Sequence, residues 1–159
     1  MTKEWQDRLA PQIEAQRILA LVRQDELEAV KLMERQLFMI FNRAQVLASV
    51  AGAVITVTGF SGRLIAGTSR WGQWFLVTGL ALVVFSAVYV FLKVMRVTWI
   101  STQLEEDFQT SLVALIRLRN RKTRAYTIGG LILVLGLLLY GLSVSIMLLN
   151  PEPMNLPVR

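Results

Sequence analysis

Three stretches of the chain carry no charged side chain over roughly 19 positions or more: Ala44 to Gly62 (AQVLASVAGAVITVTGFSG), Trp71 to Leu92 (WGQWFLVTGLALVVFSAVYVFL) and Ala125 to Leu149 (AYTIGGLILVLGLLLYGLSVSIMLL). A helix rises about 1.5 Å per residue, so about 20 residues cross about 30 Å of hydrocarbon. Hydrocarbon offers no partner to a peptide N–H or C=O, and a single segment satisfies its own backbone there only as a helix. A soluble bundle would need a polar face on each of these helices, and none has one. With 54% hydrophobic and 18% charged residues in 159 positions, the composition agrees. The expected fold class is an all-α membrane protein with transmembrane helices at 44–62, 71–92 and 125–149. An amphipathic N-terminal helix is expected over 1–43, a helical segment over 93–124, and a short tail over 150–159.

The basic residues orient the spans. Lys31, Arg35 and Arg43 precede the first; Lys93, Arg96, Arg117, Arg119, Arg121, Lys122 and Arg124 lie between the second and third. Only Arg63 and Arg70 separate the first two, and only Arg159 follows the third. The positive-inside bias places the N-terminus and 93–124 in the cytoplasm, with 63–70 and the C-terminus outside, in the inner (plasma) membrane. The first 43 residues lack the short basic stretch and apolar core of a secretory signal, so anchoring is expected to fall to the spans. Trp71, Trp74, Trp99 and Tyr126 stand at span ends, where amphipathic rings favour the headgroup region. The tail NPEPMNLPVR contains three prolines, which do not continue a helix.

The net charge of +6 is concentrated in RLRNRKTR, where Arg117, Arg119, Arg121, Lys122 and Arg124 sit immediately before the third span. No aromatic side chain is interleaved with them to stack on bases, so a nucleic-acid partner is not expected. Beside an apolar span they read as a topology lock that also holds anionic lipid head groups.

The polar segments are patterned. Pro11 is a favourable first helical residue, and no Gly or Pro follows until Gly52, so one helix is expected to run unbroken from there into the first span. Ile18, Val22, Ala29, Met33, Leu37 and Ile40 recur at roughly helical spacing, with Glu26 interrupting. Val97, Ile100, Leu104, Phe108, Leu112 and Leu115 form a second stripe. Two arrangements satisfy the pattern: the stripes bury each other in a small bundle, or one or both lie flat on the membrane. TQLE matches a capping box, Thr102 with Glu105, followed by Glu106 and Asp107 where a helix N-terminus favours negative charge.

Cysteine and histidine are absent, which removes thiol nucleophiles, disulfides, Cys or His metal ligands and the usual acid/base residue near neutral pH. The adjacent carboxylates of EED point in different directions on a helix, so no metal and no other cofactor is expected, and no enzymatic activity. None of the three spans holds the ionisable residue that ion-coupled carriers and proton relays keep in the membrane.

The first span instead has a seam. Gln45, Ser49, Gly52, Thr56 and Gly59 succeed one another at steps of four and three, and Ala48 with Gly52 forms a small-xxx-small pair. In the third span Gly141 and Ser145 share that spacing. Small residues admit close backbone approach, so the seam reads as a packing face within or between subunits, or as the lining of a pore built from several copies.

With its two spans joined by a short loop, FNRAQVLASVAGAVITVTG leading into the first and LRNRKTRAYTIGGLILVLG into the third, the chain resembles small bacterial membrane effectors of the SLATT and Pycsar transmembrane type over about residues 35–149. The resemblance implies helices that oligomerise and compromise the inner membrane in nucleotide-signalled defence. The expected function is therefore that of a non-enzymatic homo-oligomeric membrane protein, pore-forming or membrane-perturbing. The alternative is an accessory or scaffold subunit of a larger membrane complex, with the N-terminal helix docking the partner.

Overall fold

The computed structural model describes residues 3–66, 70–96 and 107–149, with side chains from Ala10 to Phe60 in the first stretch and throughout the other two. Four α-helices follow one another: α1 (Lys3–Leu21), α2 (Glu26–Ala66), α3 (Arg70–Val90) and α4 (Phe108–Leu149). A single π-helical turn, Phe91–Met95, extends α3. Among the described residues there is no strand, and three helices are long and apolar enough to cross a membrane: Glu26–Phe60, Arg70–Met95 and Phe108–Leu149. Val97, Trp99, Ile100, Thr102, Leu104, Glu105, Glu106 and the proline-rich tail lie outside the described residues.

The chain divides into two compact units, Met1–Ala44 with Leu92–Tyr126, and Gln45–Phe91 with Thr127–Arg159. The first is held by an apolar cluster of Ala15 and Ile18 from α1, Ala29 and Met33 from α2, and Leu112, Val113, Leu115 and Ile116 from α4, with Leu19, Val22, Leu32 and Phe108 packed around it. Ile18, Val22, Ala29 and Met33 of the first stripe and Phe108, Leu112 and Leu115 of the second meet in this cluster, so over these residues the two stripes bury each other.

The N-terminal segment is two helices, against the expectation of one unbroken helix. α1 closes on itself: Gln24 N–H donates to Leu19 C=O (2.8 Å) and Arg23 N–H to Ala20 C=O (3.4 Å), the paired bonds of a Schellman ending. Arg23 (φ 52°) and Gln24 (φ 62°) take the left-handed region that such an ending needs and that glycine usually fills. Asp25 then caps α2, its Oδ1 accepting from Leu27 N–H (3.0 Å) and Glu28 N–H (3.2 Å). The break lets α1 fold back so that Ile18 meets Ala29 and Met33 in one cluster, burial that a straight helix cannot achieve. Pro11 does not begin α1 but lies inside it, buried.

The helix leading into the third apolar run begins at Phe108; the expected capping box, Thr102 with Glu105, lies outside the described residues. Asp107 is its cap: the carboxylate accepts from Gln109 N–H (3.3 Å), Thr110 N–H (3.2 Å) and Thr110 Oγ1 (2.7 Å). These bonds, the Thr110 hydroxyl first, hold the Asp107 carboxyl below its ordinary value of 3.8.

In the second unit α3 and α4 run antiparallel on a seven-residue repeat. Gly72, Gly79 and Ser86 are buried on α3; Gly129, Gly136 and Ser143 are buried on α4. Each helix thus presents Gly-x6-Gly-x6-Ser, and the two rows pair in opposite order. Ser86 Oγ donates to Gly129 C=O (2.6 Å), and Ser143 Oγ to Gly72 C=O (2.7 Å). Between them a Cβ on Gly79 would lie 2.8 Å from Gly136 O, so the backbones touch where only glycine fits. Seven residues are close to two turns, which keeps all three small positions of each helix on one face. α2 joins the pair through Leu47, whose Cδ1 lies 3.8 Å from the position a Cβ on Gly130 would take.

Candidate functional site

The first-span seam is placed on the outer face of its unit. From Gln45 to Phe60 of α2 the buried positions are Leu47, Ala51 and Thr58; Gln45, Ser49, Gly52, Thr56 and Gly59 are exposed, and Ala48 is half-buried. A Cβ added at Gly52 or Gly59 would meet nothing within 4 Å. The hydroxyls are satisfied within the helix, Ser49 Oγ donating to Gln45 C=O (3.0 Å) and Thr56 Oγ1 to Gly52 C=O (2.9 Å). Such back-bonding lets a hydroxyl face hydrocarbon without an orphaned donor. From Ser49 to Gly59 the seam residues are consequently small, with both hydroxyls already paired. Gly141 on α4 is exposed in the same way, and Ser145 Oγ donates to its carbonyl (2.9 Å).

The small residues that hold the helices together within the chain are the other set, the heptad-spaced glycines and serines of α3 and α4, which a search for steps of three and four passes over. The signal that finds them is the shared seven-residue spacing on two apolar runs, together with the reversed pairing that antiparallel helices require.

The basic stretch 117–124 is divided by its contacts. Arg119 forms a fork with Glu14 of α1, Nη1 to Oε1 at 2.7 Å and Nη2 to Oε2 at 2.9 Å. Its Nη1 also donates to Gln36 Oε1 of α2 (2.8 Å), and Nε and Nη2 both reach Asn120 Oδ1. One guanidinium therefore ties three helices of the first unit at the edge of its apolar cluster, using the planar donor array that lysine lacks. Lys122 Nζ donates to Val94 C=O and Arg96 C=O, both at 3.0 Å, closing carbonyls left open where the π-helical turn ends. Arg117, Arg121 and Arg124 are exposed. Arg117 borders an open, polar cleft of about 480 Å³ with Gln12 and Gln16 of α1 and Gln109 and Thr110 of α4.

Trp71 and Trp74 open α3 with their rings exposed, as interfacial anchors stand, and Tyr126 is half-buried within α4. Among the described residues no group of three or more carboxylates is placed to hold a metal ion. The exposed side chains of α3 and α4 are predominantly large and apolar, including Val77, Val84, Phe85, Val88, Leu131, Leu135, Leu138 and Leu142. In water this would be a severe aggregation liability, and in hydrocarbon it is the expected surface.

The class these features define is an all-α membrane protein with three helices able to span the bilayer. Comparison of the chain with protein-family models, curated proteins and solved structures finds no match.

Proposed function

We propose that the protein is a non-enzymatic homo-oligomer of the inner (plasma) membrane, with the N-terminus and residues 93–124 cytoplasmic and the C-terminus outside. The α2 seam Gln45, Ser49, Gly52, Thr56 and Gly59 forms the contact between subunits or, with several copies assembled, the wall of a pore. The observation that carries this reading is the division of labour between small residues. The heptad-spaced glycines and serines of α3 and α4 are consumed in packing the chain against itself, whereas Gly52 and Gly59 have nothing within 4 Å of a Cβ position. A glycine in an exposed helix interior sacrifices about 1 kcal/mol of helix propensity relative to alanine, and a second helix packed against the seam would recover that cost. The resemblance to bacterial membrane effectors points the same way, toward helices that assemble and perturb the membrane.

The test is native mass spectrometry of the protein extracted in mild detergent at its natural expression level, followed by ion-leakage measurements in liposomes. A defined homo-oligomer that Gly52→Leu or Thr56→Leu dissociates, without loss of helix content, supports the reading; assembly unchanged by both refutes the seam.

A second reading, an accessory or scaffold subunit, is favoured by a different observation. In the first unit Leu21 and Leu27, which flank the helix–helix turn at 22–25 and precede the uncharged run 44–62, are 75% and 63% exposed. Recovery of a stable mixed complex, lost when both are changed to Gln, supports that alternative.

A further inference from the structure

The contacts of Arg119 and Lys122 remove them from the charge that the first unit presents outward. The remaining three arginines form a pattern that the linear sequence conceals. Arg117, Arg121 and Arg124 stand at steps of four and three, which at about 100° per residue confines them to a sector of about 60° on α4. That sector is opposite the side from which Leu112, Leu115 and Ile116 enter the apolar cluster. All three side chains are exposed, and among the described residues none is held in an ion pair or a side-chain hydrogen bond. Among the described residues Asp107 borders the same cleft as Arg117, and its carboxylate is committed to capping α4.

We propose that this arginine face is a binding surface for the phosphate of an anionic phospholipid. Guanidinium groups match phosphate oxygens with paired donors, and three in one sector offer several such pairs with no acid among them. The uncharged run begins at Ala125, one residue after the last arginine, so a bilayer crossed by that run brings its headgroups to the level of these side chains. The stretch 117–124 itself contains no aromatic ring on which a base would stack, which favours a headgroup over a nucleic acid. The proposal rests on the reading of α4 as a membrane crossing and selects three of the five basic residues as the lipid contacts.

The experiment uses the full chain in mild detergent, equilibrated with mixed micelles containing phosphatidylglycerol and phosphatidylcholine in equal amounts, and native mass spectrometry. The protein mass reports assembly and the mass increments report lipid, so failure of the oligomer reading and failure of this one are separate results. Wild type is expected to retain phosphatidylglycerol over phosphatidylcholine by on the order of a hundredfold, since each of the three arginines near a headgroup contributes about a fivefold preference. The triple variant R117Q/R121Q/R124Q is expected to lose the preference, and the triple Arg→Lys variant to keep most of it. R119Q, folded by its helix content, is expected to retain it in full, and R121Q alone to reduce it about fivefold, which serves if the triple Gln variant fails to fold. Equal retention of the two lipids by wild type overturns the proposal, as does a preference that survives the triple Gln substitution or is lost in folded R119Q. A nuclease-sensitive mass increment that disappears in the triple Gln variant while lipid retention is unchanged assigns the face to nucleic acid and overturns it equally.

Discussion

Replacing Gly79 with alanine places a methyl group where the structure has no room. An ideal Cβ there lies 2.8 Å from Gly136 O, 2.8 Å from Tyr140 N and 3.3 Å from Leu139 C. All three are backbone atoms, so no rotamer change relieves the contact. Favourable contacts of a carbon begin at about 3.5 Å, so α3 and α4 must separate by about 0.7 Å. That movement stretches the two short bonds at either end of the contact, Ser86 to Gly129 and Ser143 to Gly72. Overpacking of this kind costs about 1–3 kcal/mol, and weakening two interhelical bonds in a membrane adds a fraction of about 0.6 kcal/mol each. The gain in helix propensity returns up to about 1 kcal/mol, for a net loss of about 1–3 kcal/mol. Gly52→Ala is the internal control: with nothing within 4 Å, it carries only the propensity gain within a single chain. Equilibrium unfolding in mixed micelles of rising SDS fraction, followed by circular dichroism, measures both variants. Gly79→Ala as stable as wild type, or indistinguishable from Gly52→Ala, would refute the close antiparallel contact.

Three further outcomes follow from the first unit. Arg23→Gly is expected to stabilise it by about 1 kcal/mol, because glycine reaches the observed φ of 52° without the Cβ penalty; thermal melting of the variant that shows no rise counts against the Schellman turn. Arg119→Gln is expected to cost about 1–2 kcal/mol, through loss of the fork to Glu14 and the bond to Gln36, a figure discounted for the partial exposure of the pair. Glu14→Gln should cost less, and a double-mutant cycle measures the coupling directly. Since the Asp107 carboxyl is held below 3.8 in the folded chain, its capping contribution is complete above that value and is lost as pH falls through the lower, folded one. Melting between pH 5 and about 2 should therefore show an acid-side loss of stability that is smaller in Asp107→Asn, whose side chain caps without titrating.

The helices themselves were legible in the chain because their determinants are local. Lack of charge over a bilayer's length, helical spacing in the stripes around Met33 and Leu112, and the absence of histidine and cysteine require no knowledge of partners. The break at 22–25 was not legible because its usual marker is missing: Arg23 and Gln24 hold a left-handed conformation that sequence reasoning assigns to glycine or asparagine. Only burial of Ile18 against Ala29 and Met33 makes that local strain worthwhile. α4 begins at Phe108 behind Asp107, and of the acidic residues that the sequence places there it is this carboxylate that reaches the free N–H groups, a choice that spacing alone does not make.

The candidate surfaces divide along the same line. Sequence by itself determined that small residues line the first span and that basic residues crowd the approach to the third, because composition and position along the chain suffice for both. Tertiary structure decided which of them are occupied. Gly79 and Gly136 are in contact while Gly52 and Gly59 are not, and Arg119 is bound to Glu14 while Arg121 faces outward. The physical reason is that spacing fixes only which residues share a helix face. What that face meets depends on the direction in which a distant segment returns, and it takes the antiparallel register of α3 and α4 to bring Gly79 against Gly136.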